Sequence, residues 1–156
     1  MGRKTQVLTG GIYFGEGPRW RDGRLWFSDF YAHAVKSVSL AGDLRTEFEI
    51  DDQPSGLGWR PDGSMLIVSM TKRQVLRRAP DGAIAVHADL SHIATFHCND
   101  MVVDSAGGAY VGNFGFNLDS EIEELLWIDP AAPPDVPIAP LLTGRLLPAL
   151  LAAARA

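Results

Sequence analysis

At 156 residues, the chain is long enough for one domain with its own apolar core. Its net charge of −5, with 46% hydrophobic and 21% charged residues, is that of an ordinary soluble globular protein. The acidic balance argues against nucleic-acid and anionic-membrane partners, because no basic stripe is available to neutralise phosphates. The densest basic stretch, Lys72-Arg73 with Arg77-Arg78, reads as the solvated face of a strand and turn. A single cysteine, Cys98, rules out an internal disulfide framework and fits a reducing compartment. The opening MGRKTQVLTG has two basic residues with no apolar run behind them, so no signal peptide is expected. No stretch reaches the roughly 18 apolar residues of a membrane span. The expectation is a cytoplasmic protein.

In chain order, Thr5 to Leu8 is a candidate short strand, followed by the glycine pair Gly10-Gly11 and a tight Gly15-Glu16-Gly17-Pro18 loop. Arg19-Trp20-Arg21, the turn Asp22-Gly23 and a returning run Arg24 to Asp29 make a hairpin. A second hairpin runs from Ala34 to Leu40, through Ala41-Gly42-Asp43, and back along Leu44 to Ile50. There, Leu44, Thr46, Phe48 and Ile50 alternate onto one expected face. The order then recurs. Pro54 to Trp59 enters the turn Pro61-Asp62-Gly63, and Ser64 to Ser69 returns. Gln74 to Arg78 and Ala83 to Ala88 flank Pro80-Asp81-Gly82.

A third round begins at His97 to Asn117, HCNDMVVDSAGGAYVGNFGFN, and continues with Leu125 to Pro130. Aligning the turns matches Trp20 with Trp59, 39 residues on, and Trp59 with Val103, 44 residues on. Four short strands per repeat at about that period is the signature of a β-propeller blade. The competing reading, chance recurrence of Asp-Gly turns, has to explain three copies in the same strand order. The fold class expected is therefore all-β, with about two and a half to three propeller blades over residues 1–130. Propellers close with roughly four to eight blades. The remaining 26 residues, 131–156, are rich in Ala, Leu and Pro and carry neither strand alternation nor an Asp-Gly turn. That composition is what an out-of-frame reading of GC-rich DNA produces, so the chain is read as a truncated or frameshifted copy of a longer propeller. The alternative is a genuine helix, Leu146 to Arg155, on a proline-rich linker.

The third round holds the densest polar cluster, His97, Cys98, Asn99 and Asp100, at the mouth of a hairpin. Asn99 and Asp100 are oxygen donors of the kind that hard cations and sugar hydroxyls need. The plainer reading is an Asx turn that closes the strand. Cys98 beside His97 suggests a thiol nucleophile, but adjacent strand residues point to opposite faces, and a packed cysteine is the simpler reading. No phosphate loop or nucleophile elbow is present. Trp20, Trp26, Trp59 and Trp127 mostly follow the repeat and read as core or inter-blade packing.

The stretches GEGPRWRDGRLWFSDF, PSGLGWRPDGSMLIVS and CNDMVVDSAGGAYVGNFGF resemble the first three blades of the gluconolactonase and regucalcin (senescence marker protein) family, over about residues 7–130. The first and third motifs are the more specific; the second is common to many propellers. The resemblance implies a six-bladed propeller that hydrolyses sugar and related lactones with a divalent cation in its central channel. Calcium is the first choice, with zinc, manganese or magnesium also in range. It makes Glu16 a metal ligand, where the plain reading is a solvent-exposed loop acid. Asn99 falls at a substrate-binding position. The resemblance also makes His97 and Asn117 substrate-binding positions: His97 stands where some members carry a substrate-contacting arginine, and Asn117 where some carry a substrate-binding glutamate, so both depart from the pattern. Asp100 would buttress the loop. The family's second metal ligand, an asparagine, and its third, an aspartate that is also the general base, belong to later blades. This chain is therefore expected to lack the catalytic aspartate and to be inactive or nearly so. The non-enzymatic alternative is a binding or assembly module that self-associates through its open blade edges.

Overall fold

The computed structural model describes residues 5–114, 124–128, 130–131 and 140–141. Among the described residues, twelve strands form three antiparallel four-stranded sheets, each ordered as a meander. The first holds β1 (Gly15–Arg21), β2 (Arg24–Asp29), β3 (Ala34–Ser39) and β4 (Leu44–Glu49). The second holds β5 (Pro54–Trp59), β6 (Met65–Ser69), β7 (Gln74–Arg78) and β8 (Ile84–Asp89). The third holds β9 (His97–Val103), β10 (Ala109–Phe114), β11 (Glu124–Ile128) and the two-residue β12 (Pro140–Leu141). The all-β propeller reading holds, and the third blade takes its outer strand from beyond the boundary set at residue 130. The rest of the 131–156 tail, including the alternative helix, lies outside the described residues apart from Ala131.

Burial explains why the blades stack. Every residue of β6 is buried, because neighbours cover the second sheet on both faces. Met65 and Ile67 face the first blade, packing with Val35, Ile50 and Leu57 and against Trp26, Phe48 and Trp59. Leu66 and Val68 face the third blade, packing with Val75, Leu90, Cys98, Met101 and Val111. Each such side chain contributes about 1.5–3 kcal/mol by leaving water. A single blade cannot bury two faces, so the core of this chain is made between blades.

Three details correct the sequence reading. Thr5 to Leu8 forms no strand. Trp20 is 56% exposed, whereas Trp26 and Trp59 meet edge to face across the first two blades with ring centroids 5.4 Å apart. The alternation over Leu44 to Ile50 is broken by a bulge. Thr46 pairs with Lys36 and Phe48 with Val35, so Glu47 is the extra residue, and Phe48 turns to the face opposite Leu44 and Thr46. One inserted residue exchanges the faces of a strand, and a hydrophobic pattern of period two carries no mark of it.

Candidate functional site at the start of the inner strands

The three inner strands, β1, β5 and β9, begin at one end of the stack, and each carries a register shift near its start. The shifts fall between Glu16 and Arg19, between Pro54 and Leu57, and between Cys98 and Met101. Bulges at such places re-aim side chains. Here they gather Glu16, Ser55 and Asn99. Ser55 Oγ lies 3.0 Å from Glu16 Oε2 and 2.5 Å from Asn99 Oδ1. Ser55 is 1% exposed, while Glu16 and Asn99 are half-buried.

Two glycines make the convergence sterically possible. Gly17 has φ +56°, and a Cβ there would stand 2.9 Å from the Ser55 carbonyl oxygen, so only glycine lets β1 pass this close. Gly56 abuts β9, where a Cβ would sit 2.8 Å from the Asp100 carbonyl carbon. Hydrogen bonds then fix the strands together. Ser28 Oγ donates to the Ser55 carbonyl oxygen at 2.6 Å. Arg19 reaches from β1 to β9, donating to the Met101 carbonyl and lying 3.7 Å from Asp100 Oδ1. Asp100 also accepts from the Met101 N–H at 3.0 Å.

Behind the site, buried Asp29 takes the Lys36 ammonium at 2.6 Å and accepts from the N–H groups of Tyr13 and Phe14, just before the Glu16 loop. Burial pushes the Asp29 carboxyl up, but the Lys36 bond and the two backbone N–H groups outweigh it and hold the group below its ordinary value.

The donor set is hard: a carboxylate, a hydroxyl and an amide oxygen. One serine proton faces two acceptors, so it satisfies only one of them. With the Asn99 amide turned, Nδ2–H donates to Ser55 Oγ and the hydroxyl donates on to Glu16. With the oxygen facing in, three oxygens converge with one proton among them, which suits a cation placed beside them. The trio therefore fits part of a divalent-cation site. Among the described residues, no three His, Cys, Asp or Glu side chains gather.

Of the residues singled out from sequence, Glu16 and Asn99 come together through Ser55. His97 stacks on Phe96, with centroids 4.1 Å apart, and is not joined to the trio by any hydrogen bond among the described residues. Asn117 lies outside the described residues. Cys98 is fully buried, and burial pushes its thiol up to about 12 against a small opposing effect of Arg73, so it is no nucleophile. Ser55 was missed. Its signal was in the repeat: Glu16, Ser55 and Asn99 stand 39 and 44 residues apart, the same offsets that relate Trp20, Trp59 and Val103.

Residues 14–139 match the model of the SMP-30/gluconolactonase/LRE-like region, and the chain belongs to that family. No curated protein sequence matches it. Among solved structures, it resembles the calcium-binding protein regucalcin from Agrobacterium tumefaciens (TM-score 0.65, 19% identity, 83% of this chain and 43% of that one). It also resembles a gluconolactonase from Xanthomonas campestris (TM-score 0.66, 15% identity, 85% and 48%). A third likeness is to a putative gluconolactonase (TM-score 0.65, 18% identity, 86% and 50%). At these identities the likeness is one of fold. The chain spans about half or less of the length of these structures.

Proposed function

We propose that the three blades are part of a divalent-cation-dependent hydrolase of sugar lactones, and that this chain by itself has little or no hydrolytic activity. Family membership supports this reaction class. The observation that carries the reading is the meeting of Glu16, Ser55 and Asn99 from one repeat position in three blades. Glu16 and the Asn99 amide oxygen would hold the cation, calcium first and magnesium, manganese or zinc next, while Ser55 orients both. A bound cation of this kind supplies polarisation of a lactone carbonyl. Calcium takes about six to eight oxygens, more than the trio offers. The Asn99 amide also suits a sugar hydroxyl, and His97, two residues earlier, is a second candidate for substrate contact. Hydrolysis needs a base for water, and Glu16 is the carboxylate that the hydrogen bonds of the trio include among the described residues. A cytoplasmic location belongs to the same reading.

The test is hydrolysis of an aldonolactone by the purified chain with calcium or manganese. The expected rate equals the uncatalysed rate. Turnover that disappears in Glu16→Ala would show the chain to be active and overturn the second half of the proposal.

A second reading, self-association of a non-enzymatic module, is favoured by the exposed aromatics of the first blade. Tyr13, Phe14, Trp20 and Tyr31 are 50–78% exposed. On this reading, size-exclusion at rising concentration gives a growing assembly, and Trp20→Lys with Tyr31→Lys restores the monomer.

A further inference from the structure

The first two blades carry the same outer hairpin with different charges, and the difference leaves a cavity. In the first blade, Arg24 Nε donates to Ser37 Oγ at 2.7 Å, and that hydroxyl donates to Glu47 Oε1 at 2.5 Å. Arg24 Nη1 also lies 3.2 Å from Asp43 Oδ2, which Arg45 meets at 2.7 Å. Two arginines thus face two carboxylates. The turns place the second blade 40 residues on: Ser39 N–H binds the Asp43 carbonyl, and Ala79 N–H the Ala83 carbonyl. Arg24 and Ser37 become Ser64 and Arg77, which exchange roles, Arg77 Nε donating to Ser64 Oγ at 3.0 Å. Asp43, Arg45 and Glu47 become Ala83, Ala85 and His87. His87 is the bulged residue of β8, as Glu47 is of β4.

The lost side chains open a cavity of about 420 Å³ lined by Arg60, Arg77, Ala83, Ala85, Val86 and His87, among others. Asp62 is the carboxylate that meets both arginines, 3.0 Å from Arg77 and 3.6 Å from Arg60. Ser64 and the two arginines hold Asp62 at about 2, so it stays charged and balances one of them. Burial and the two arginines push the His87 imidazole below its ordinary value, against the opposing pull of Asp62. His87 Nε2 is buried without a partner, as is Arg60 Nε. Two arginines and one carboxylate therefore border this space, where the first blade sets two carboxylates against its two arginines.

We propose that this cavity binds a small organic monocarboxylate. Its COO⁻ group would stand where the first blade sets Asp43 and Glu47, pairing with Arg77 and Arg60. Its aliphatic body would rest on Ala83, Ala85 and Val86. The site is separate from the trio, since Ser55 is the second residue of β5 and Arg60 follows its end, about 16 Å away along an extended strand. It does not depend on any catalytic role for Glu16.

The test is calorimetric titration of the full chain with sodium butanoate at low ionic strength, with uncharged butanamide alongside. Butanoate should bind saturably at one site, at least about tenfold tighter than butanamide. His87→Glu restores the internal carboxylate and should abolish butanoate binding while raising the melting temperature. Arg77→Gln should weaken binding about tenfold. If His87→Glu does not fold, Ala83→Asp, which restores the carboxylate of Asp43, makes the same prediction. No saturable butanoate binding, equal binding of the amide, or butanoate binding unchanged by the restored carboxylate would overturn the proposal.

Discussion

The inner strands differ at their two ends, and the contrast separates scaffold from chemistry. At the turn end, the second and third blades repeat one solution. Arg60 N–H binds the Ser64 carbonyl and Gly63 N–H the Arg60 carbonyl, and Asp104, Gly107 and Gly108 reproduce the pattern. At the opposite end, the same repeat position is Glu16, then Ser55, then Asn99, joined side chain to side chain. At the turn end, these backbone hydrogen bonds close within one blade. At the Glu16 end, the side-chain bonds run between blades. A position that changes residue type while keeping its place in the fold is available for function, because the backbone does not depend on it.

The largest effect should come from breaking what holds the variable end in place. Asp29→Ala leaves Lys36, only 10% exposed, without its carboxylate and frees the Tyr13 and Phe14 N–H groups. A loss of about 3–5 kcal/mol is expected in denaturant unfolding. Gly56→Ala comes next. Its Cβ meets the Asp100 and Met101 backbone, so β5 and β9 must separate, and about 1–3 kcal/mol should be lost with the Ser55–Asn99 contact.

Acid tests both ends together. Asp29, Asp52 and Asp62 titrate below their ordinary 3.8 in the fold, Asp62 at about 2. For Asp52, burial works against the lowering, and the Ser69 and Thr71 hydroxyls with the Lys72 N–H overcome it. Below 3.8 the unfolded chain binds more protons than the folded one, so the stability these groups contribute is fully present above that value. It should fall as pH drops from 3.8 towards 2, which thermal melts across that window would show. Ser55→Ala is the smallest perturbation. It removes the hydroxyl between Glu16 and Asn99 at a cost of about 1 kcal/mol and should leave the blades intact by circular dichroism.

Much of this was legible in the sequence. The Asp-Gly turns and their spacing placed three blades, because turn chemistry is local and the repeat reinforces it. Glu16 and Asn99 were legible as candidates through the family resemblance. Ser55 was not, since serine carries no signal of its own and only its repeat offset marks it. The bulges at Glu47 and His87 were hidden for a different reason: strand pairing with the neighbour sets them, and no local composition does. Trp20 shows the same limit, because its repeat partner Trp59 packs against Trp26 while Trp20 belongs to the open side of the first blade. Whether a repeated aromatic is buried depends on which blade stands next to it.

The most direct measurement is a calcium titration of the chain beside Glu16→Gln and Asn99→Asp. The account predicts weak binding by the unaltered chain, with a dissociation constant of about a millimolar. It predicts loss of that binding in Glu16→Gln and a gain of about tenfold or more in Asn99→Asp, where a second carboxylate joins the trio. Equal binding by all three chains, or none by any, would contradict the claim that one repeat position from three blades forms a cation site.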